Sequence, residues 1–261
     1  MRMLVIYGLL VFLLVLVSLL FRAFSIIKTS KFDGQHSFTL AVGKEDRAYG
    51  LLSFKPETAS VSLLTFSNGS SIKFIELNKK VGIIPDGYIK TRYPLDLHGT
   101  IPSLLWSFIS HDNSIIKNIT FYDLLRFYFF ASKIPVSNIS TQELAVSSDT
   151  ETFNKEVSLL FTDTSFSQEN ISIQIVNAAG EPGLGSRLER VIANMGGNVV
   201  SIKTAITPEI VSRIQYHDKE TYTLRKLHSL LSIRTEALDR RQAVADIVII
   251  LGKDIVDTPL F

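Results

Sequence analysis

Cysteine is absent from this 261-residue chain, and tryptophan occurs only once. The lack of cysteine excludes disulfides, thiolate metal sites and cysteine nucleophiles. Neither an HExxH nor a GxSxG sequence occurs, which removes two common hydrolase signatures. Five histidines lack the short spacing of metal ligands: His36, His98, His111, His217 and His228. We therefore predict neither a metal nor a cofactor.

Charge of one sign is also scarce, since the formal net charge is +2. Residues 1–32 carry four basic residues and no acid. Residues 33–150 carry eleven of each, and residues 151–261 carry twelve basic against fourteen acidic residues. Neither of the two later segments has the clustered positive charge that neutralises a nucleic-acid backbone, so we expect no nucleic-acid partner.

A long apolar run opens the chain. Nineteen uncharged residues separate Arg2 from Arg22, a helical length close to the roughly 30 Å hydrocarbon thickness of a bilayer. No clean small-residue cleavage site follows, so we predict an uncleaved signal-anchor that contacts the membrane through residues 3–21. Long domains translocate largely regardless of flanking charge. We expect a single-pass cell-membrane protein with its soluble part outside the cytoplasm.

The next segment is predicted to be rich in strands. Alternating and apolar runs predict strands at Phe38–Gly43, Tyr49–Phe54 and Ser60–Phe66, the last two joined as a hairpin through Pro56. The run IKFIEL, from Ile72 to Leu77, predicts another strand.

Two helices are predicted to follow. Thr100 is placed to cap the first, with Pro102 in its first turn, and Thr120 with Asp123 resembles a capping box for the second. The second helix carries an apolar stripe at helical spacing: Phe121, Leu124, Leu125, Tyr128 and Phe129. Core packing against a sheet is a better interpretation of this stripe than a ligand or lipid surface. Arg126, beside Asp123, is expected to be solvated.

A polar stretch from Thr141 to Asn170 marks a domain boundary. We divide the chain into a membrane anchor (1–32), a middle domain (33–150), a linker (151–168) and a C-terminal domain (169–261). The apolar island at residues 157–161 is interpreted as a lone strand. The C-terminal domain reads as βαββαβ, with Asp218 capping its second helix and ADIVIILG forming a strand buried on both faces. The fold class is α+β, with α/β-like features.

A glycine-rich loop joins the first strand and helix of the C-terminal domain. Its glycines, Gly180, Gly183 and Gly185, fit neither the GxGxxG spacing nor a P-loop. A turn with positive φ and close packing explains them best. Since a helix N-terminus exposes N–H groups, Asn177 and these glycines also form a possible anion-binding loop.

The C-terminal part resembles the C-terminal domain of the LytR family. Asn177, Gly180, Gly183 and Leu184 fall on that family's loop pattern, while Gly185 stands where alanine is frequent. A second group falls on the closing motif: Ala245, Asp246, Ile247, Gly252 and Asp254. The resemblance covers roughly residues 170 to 256 and implies a bacterial cell-envelope protein.

The resemblance also implies a LytR-CpsA-Psr catalytic domain before it, which transfers anionic glycopolymers from a lipid pyrophosphate to the cell wall. The middle segment resembles a shortened, degenerate form, with residues 66–69 in place of the family's Pro-Arg-Asp step. Transfer from a pyrophosphate needs a metal held by carboxylates and several arginines. The candidate catalytic residues are Asp46, Arg47, Arg92 and Asp96. Solvated surface charges are the better interpretation of these four residues.

We therefore expect a membrane-anchored, non-catalytic protein that binds a cell-wall polymer or an envelope protein through its C-terminal domain. One alternative is a divergent phosphotransferase that attaches glycopolymers to the wall. The other is an assembly scaffold whose soluble domains oligomerise.

Overall fold

Two mixed β-sheets with surrounding helices give the chain the predicted α+β architecture, seen in a computed structural model. The structure describes residues 2–67, 70–93, 95–111, 114–145, 150–217, 220–237, 244–256 and 258. The N-terminal helix α1 spans Arg2–Lys28. Its stretch Ile6–Lys28 is long and apolar enough to cross a membrane, and none of it is buried against the rest of the protein. Such a helix suits both a membrane anchor and a signal sequence.

The first sheet has seven strands. They are β1 (Phe38–Lys44), β2 (Arg47–Lys55), β3 (Ser60–Phe66), β4 (Ile72–Lys73), β5 (Gly87–Thr91), β6 (Ile115–Lys117) and β7 (Ile139–Leu144). Their order is β6-β5-β1-β2-β3-β7, with β4 paired to β2. The predicted hairpin is confirmed, because β2 and β3 pair in antiparallel around a turn that begins at Pro56.

In the described residues, five α-helices accompany this part of the chain. They are α2 (Leu77–Val81), α3 (Ile101–Ser110), α4 (Phe121–Lys133), α5 (Thr150–Phe161) and α6 (Thr164–Glu169). Thr100 caps α3 as predicted, and its hydroxyl accepts from the Ser103 N–H. The capping box of α4 is confirmed as well, with Thr120 and Asp123 each accepting from the other's backbone N–H. These local signals fixed both helix starts because the caps satisfy otherwise unpaired N–H groups.

The first sheet is covered on both faces. One face packs side chains such as Leu52 and Phe54 against α3 and α4. The other packs Leu51 and Leu64 against α2 and α5. Strand alternation places these neighbouring residues on opposite faces, so each face has its own core.

The second sheet has five strands. They are β8 (Ser172–Asn177), β9 (Asn198–Thr204), β10 (Arg213–Tyr216), β11 (Arg234–Ala237) and β12 (Ile247–Leu251), and their order is β11-β10-β12-β8-β9. The helices α7 (Leu184–Asn194) and α8 (Tyr222–Leu231) pack on it through the apolar stripes that the sequence predicts. All five residues of β12 are buried, which confirms that prediction. The order βαββαβ is incomplete, since β11 adds a strand before β12. This four-residue strand has no apolar alternation, and only its pairing with β10 defines it.

Two further predictions of local structure are wrong. Residues 157–161, interpreted as a strand, belong to α5, because Phe153, Val157, Leu160 and Phe161 recur at helical spacing and are buried together. The predicted strand at IKFIEL stops after Lys73 and continues as a 3₁₀ turn and α2.

The predicted Asp218 cap lies outside the described residues, and the N-cap of α8 is Thr221. The division into four segments stays a prediction, although the segment taken as a linker is helical.

The apolar stripe of α4 does not pack as predicted. Leu124 is buried, but Phe121 and Phe129 are 51% and 57% exposed. The core face of α4 consists instead of Leu124, Phe127 and Ala131. Apolar residues surround most of this helix, so their spacing alone did not select the buried face.

Candidate functional site

A cavity of about 820 Å³ lies between the two sheets. Its walls come from the segment after α1, from β5 and β6 of the first sheet, and from α8 and the residues after β12. The cavity therefore joins the membrane-proximal segment, the middle domain and the C-terminal domain.

Besides Lys226, four basic side chains line this cavity, and they come from four different parts of the chain. Lys31 follows α1, Lys90 lies on β5, Lys117 ends β6 and Arg225 lies on α8. Among the described residues, none of the four forms an ion pair. The Lys90 ammonium lies 4.9 Å from the ring centroid of Phe74, a cation–π contact that leaves its hydrogen bonding to a ligand open.

The acidic residues of the cavity are already engaged. Asp33 contacts His36 at 2.5 Å. Asp254 accepts hydrogen bonds from the backbone and hydroxyl of Ser212. The third acid, Asp86, is paired with Lys226. The four basic side chains are thus the charged groups of the cavity that remain available to a ligand. An anionic ligand would complement their charge.

A buried ion pair closes one wall of the cavity and joins the two sheets. Lys226 on α8 donates to both carboxylate oxygens of Asp86, at 2.8 and 2.9 Å, and to the Ser37 carbonyl at 3.2 Å. Only about a tenth of each charged side chain is exposed, 12% for Lys226 and 10% for Asp86. Asp86 also accepts from the Thr39 N–H. Because the pair is well supplied with hydrogen bonds, it fixes α8 against the start of β1.

Asp163 extends this wall. It lies 3.9 Å from Lys226 and accepts from the Tyr222 hydroxyl at 2.6 Å. Burial raises the pKa of Asp163 above its ordinary value, although Lys226 and Tyr222 favour its charged form. Burial and the nearby Asp163 carboxylate raise the pKa of Tyr222, so it remains a hydrogen-bond donor. Its ring stacks on His36 at 4.3 Å, which connects α8 to the segment after α1.

A second contact holds the two sheets in place away from the cavity. Arg190 on α7 donates to the carbonyls of Lys79 and Lys80 at the end of α2. Asn194 donates to the carbonyls of Val81 and Gly82. Basic and amide groups at a helix C-terminus satisfy carbonyls that have no partner within the helix.

The four candidate catalytic residues lie elsewhere on the first sheet. Asp46 and Arg47 are exposed at the turn between β1 and β2, and Arg92 is exposed just after β5. Since β1 and β5 are parallel, both places lie at one sheet edge, and the Glu45 N–H donates to the Thr91 carbonyl. Asp96 follows a few residues later. The backbone therefore brings these positions to the same region.

Their described side-chain contacts differ. Arg47 donates to the hydroxyl and the carbonyl of Ser71, at 2.6 and 2.8 Å. Asp96 accepts from the backbone N–H groups of His98 and Gly99 in its own turn. No ion pair joins any two of the four candidates in the described part of the chain. The catalytic assignment stays a prediction.

The prediction for Arg126 is wrong. Its guanidinium donates to the carbonyls of Phe32 and Asp33 and lies over the Phe32 ring. It binds the segment after α1, a contact 94 residues away in sequence that helix periodicity cannot reveal.

The glycine loop is organised by Asn177, which is buried. Its amide donates to the Glu181 carbonyl at 2.7 Å, and its side-chain oxygen accepts from the Ala179 N–H. Gly180 and Gly183 have φ of +83° and +78°. A Cβ at Gly185 would lie 2.9 Å from Ile202. Positive φ and close packing thus explain all three glycines, and a ligand role for the loop stays a prediction.

The aspartates of the closing motif fasten β12 at both ends. Before the strand, Asp246 accepts from the backbone and hydroxyl of Ser172, at 2.9 and 2.5 Å. After it, Asp254 holds Ser212, whose hydroxyl accepts from the Gly252 N–H. The hydrogen bonds from Ser172 lower the pKa of Asp246. These motif positions therefore have a structural explanation.

The basic cavity was not predicted from the sequence. Lys90, Lys117 and Arg225 belong to no short motif and are separated by up to 135 residues. Strand alternation in GYIKT puts Lys90 on the face opposite Ile89. This alternation does not reveal which residues of the other sheet lie across from Lys90. Lys31 was counted only within the basic excess of the anchor.

Residues 170–254 match the family model LytR_C, described as LytR cell envelope-related transcriptional attenuator. The match confirms the resemblance seen in the loop and closing motifs, and these residues form a LytR C-terminal domain. No curated protein matches the chain. The domain indicates a cell-envelope-related protein.

Proposed function

We propose that this chain is a single-pass membrane protein that holds its two sheets outside the cytoplasm and binds an acidic cell-wall polymer between them. Helix α1 supports the anchoring, because the span Ile6–Lys28 is apolar and unburied. The LytR C-terminal domain supports the place in the envelope. The binding site of this proposal includes the middle domain and is not confined to the C-terminal one.

The basic cavity is the observation that carries the proposal. Four of its cations, which form no ion pair with the described residues, come from separate elements, and the Lys226–Asp86 pair holds the two sheets together around them. Phosphate or carboxylate groups spaced along a polymer would meet several of these cations without reordering the domains. A volume of about 820 Å³ and its open contact with solvent suit a segment of chain rather than a whole protein surface.

We propose binding rather than catalysis. Three of the four free cations of the cavity are lysines, whereas phosphoryl transfer is served best by planar, bidentate arginines. The cavity carboxylates are held by His36, Lys226 and Ser212. Asp46, Arg47, Arg92 and Asp96 do not line the cavity.

The test measures polymer affinity on the full chain in detergent micelles. The probes are a soluble poly(glycerol phosphate) and a neutral glucan of equal length, titrated by calorimetry at low and moderate salt. We expect the phosphate polymer to bind, with affinity that falls as salt rises, and the glucan not to bind. Each of Lys90→Gln and Arg225→Gln should weaken binding about threefold, because each removes one partly screened charge.

Lys203→Gln is the matched control, since Lys203 is exposed on β9 and does not line the cavity. It should leave the affinity unchanged. Equal losses of affinity in Lys203→Gln and Lys90→Gln would indicate nonspecific charge attraction and would contradict binding in the cavity. Retention of the glucan with the same affinity would contradict an acidic ligand.

Protease accessibility in whole cells tests the orientation. A protease added outside should cut the soluble part of the chain, and intact cells that protect it completely would contradict the extracytoplasmic placement. Mass spectrometry of the purified chain should show residues 1–28 still attached. Loss of this segment would replace the anchor by a cleaved signal sequence.

A further inference from the structure

The chain enters the core of the middle domain immediately after α1. The helix ends at Lys28, and Phe32, only four residues later, is 2% exposed among Phe38, Phe54 and Phe127. Four residues reach at most about 14 Å when fully extended. The middle domain is therefore tethered too closely to α1 to move far from its end.

Two residues of α4 clamp this short connection. The Asp123 carboxylate accepts from the Ser30 hydroxyl at 2.5 Å and from the N–H groups of Lys31 and Phe32 at about 3 Å. Arg126 donates to the Phe32 and Asp33 carbonyls. Helix α4 also contacts α1 itself. Among the elements of the middle domain, α4 thus lies directly beside the end of the anchor.

The outer side of α3 and α4 carries a mainly aromatic group of side chains, called the aromatic patch below. It consists of Trp106, Phe121, Leu125, Tyr128 and Phe129, of which Leu125 and Tyr128 are partly buried. Trp106, Phe121 and Phe129 are each more than half exposed. The spacing i, i+4 and i+8 puts Phe121, Leu125 and Phe129 on one face of the helix. Trp106 contacts Tyr128 with ring centroids 5.4 Å apart, and Tyr128 contacts Phe129 at 5.5 Å.

The helices of the C-terminal domain have no comparable patch. Neither α7 nor α8 has a large apolar side chain more than 36% exposed, and their outer positions include Arg225 and Glu189. Outside α1, the exposed aromatic side chains of the described residues therefore lie on the helix pair beside the anchor. Contiguous apolar patches on otherwise polar domains mark interaction sites.

We propose that the aromatic patch rests in the interfacial layer of the same bilayer that α1 spans, so that the middle domain lies against the membrane surface. The proposal rests on the membrane anchoring put forward above. Tryptophan and tyrosine favour the membrane interface because their rings are apolar and their N–H or O–H groups remain hydrated. Arg22 and Lys28 follow the apolar run and suit the anionic headgroups at the same level.

The clamp and the patch together give the domain a fixed orientation. A clamp alone would set the distance from the membrane, whereas contact through α3 and α4 also sets which side faces it. Tyr88 and Lys90 of the cavity lie on the face of β5 opposite Ile89, which packs on the side of α3 and α4, so this side of the cavity would remain open to a polymer.

The single tryptophan of the chain makes the patch directly measurable. The full chain is reconstituted into phosphatidylglycerol and phosphatidylcholine vesicles, with or without bromine atoms at acyl positions 6 and 7. Trp106 fluorescence should fall at least about twofold in the brominated vesicles, since bromine quenches on contact and interfacial side chains reach about 5–10 Å into this layer. The exposed double variant Phe121→Ser with Phe129→Ser should lose most of this quenching.

The control moves the tryptophan to the C-terminal domain, as Trp106→Phe with Ile206→Trp, because Ile206 is fully exposed after β9. This tryptophan should not be quenched. Equal quenching at both places, or no quenching at Trp106, would overturn the inference. A Trp106 spectrum that shifts with protein concentration in micelles, together with no quenching in the brominated vesicles, would also overturn it, because that result indicates a second copy of the chain on the patch. Flotation of the vesicles is measured first. Failure to float contradicts the anchor itself, whereas flotation without quenching contradicts only the patch.

Discussion

Helices α4 and α8 make similar connections and differ in what they expose. Each packs on a sheet, and each binds a segment outside its own domain: α4 holds the residues after α1, and α8 holds Asp86 of the middle domain. The outer side of α4 is aromatic, whereas that of α8 is polar and basic. The contrast fits the two proposals above, in which α4 rests on the membrane surface and α8 faces an aqueous cavity.

Removal of the Asp123 carboxylate should give the largest effect on stability. Asp123→Ala leaves the buried N–H of Phe32 and the partly buried N–H groups of Lys31 and Thr120 without their acceptor and removes the capping box, at a cost of about 3 kcal/mol or more. Urea unfolding of the full chain in micelles measures the loss.

Glu169→Ala is the corresponding change at α8, where Glu169 accepts from the N–H groups of Tyr222 and Thr223. Thr221 still caps this helix, so we expect a loss of only about 1 kcal/mol. Equal losses for the two variants would remove the distinction between a buried clamp and an exposed cap.

The buried pair between the two sheets should come next. Lys226→Met leaves Asp86 and Asp163 without their cation, which should cost about 3 kcal/mol. We expect the two sheets then to unfold in separate steps in calorimetry. Lys80→Met breaks the exposed pair with Glu76 and should leave the unfolding midpoint nearly unchanged, because solvent screens this pair. A single sharp transition with unchanged midpoint in Lys226→Met would show that the pair does not couple the sheets.

Alanine substitutions at two glycines of the LytR C-terminal domain compare the cost of a steric clash with the cost of a positive φ. A Cβ at Gly252 would lie 2.7 to 2.9 Å from the backbone of Ile210 and Val211, so Gly252→Ala should cost about 2 kcal/mol. At Gly180 a Cβ meets nothing within 4 Å, and only φ of +83° opposes it, so Gly180→Ala should cost about 1 kcal/mol. Thermal unfolding compares the two, and a reversed order would contradict backbone contact as the dominant cost.

The smallest expected effects are opposite responses to acid. Burial opposes ionisation of Asp123, but hydrogen bonds from Ser30, Thr120 and Phe32 outweigh it and lower its pKa below 3.8. Its stabilising contribution is therefore complete above pH 3.8 and is lost as the pH falls through the folded pKa. Burial raises the pKa of Asp163 above 3.8, so this group favours folding as the pH falls towards 3.8.

Two conservative variants test these signs. Asp123→Asn should lose less stability than the unmodified chain between pH 5 and about pH 3, and Asp163→Asn should lose more. Urea unfolding at each pH gives the two slopes. Slopes that change in the same direction would contradict one of the assigned shifts.

Local sequence signals predicted much of the fold because they act over a few residues. The caps at Thr100 and Thr120, the hairpin around Pro56 and the buried run of β12 are all present. The apolar run of α1 also gave its own helix. The patterns of α4 and α5 were ambiguous, so neither the buried face of α4 nor the helical period of α5 could be chosen from neighbouring residues alone.

The candidate site was beyond such signals. Lys31, Lys90, Lys117 and Arg225 lie in four elements, and their charges are hidden within segments of nearly balanced composition. The loop and closing motifs were recognised, yet their polar residues Asn177, Asp246 and Asp254 hold the fold together.

The sequence by itself determined the apolar N-terminal helix, the strand and helix types with strong local patterns, and the LytR C-terminal domain, because periodicity, capping and short motifs depend on neighbouring residues. Only the tertiary structure decided that Asp123 and Arg126 clamp the anchor segment, that α4 exposes its aromatic side, and that scattered lysines meet in one cavity. These features depend on contacts between residues far apart in sequence, whose distances are set by the packing of two sheets.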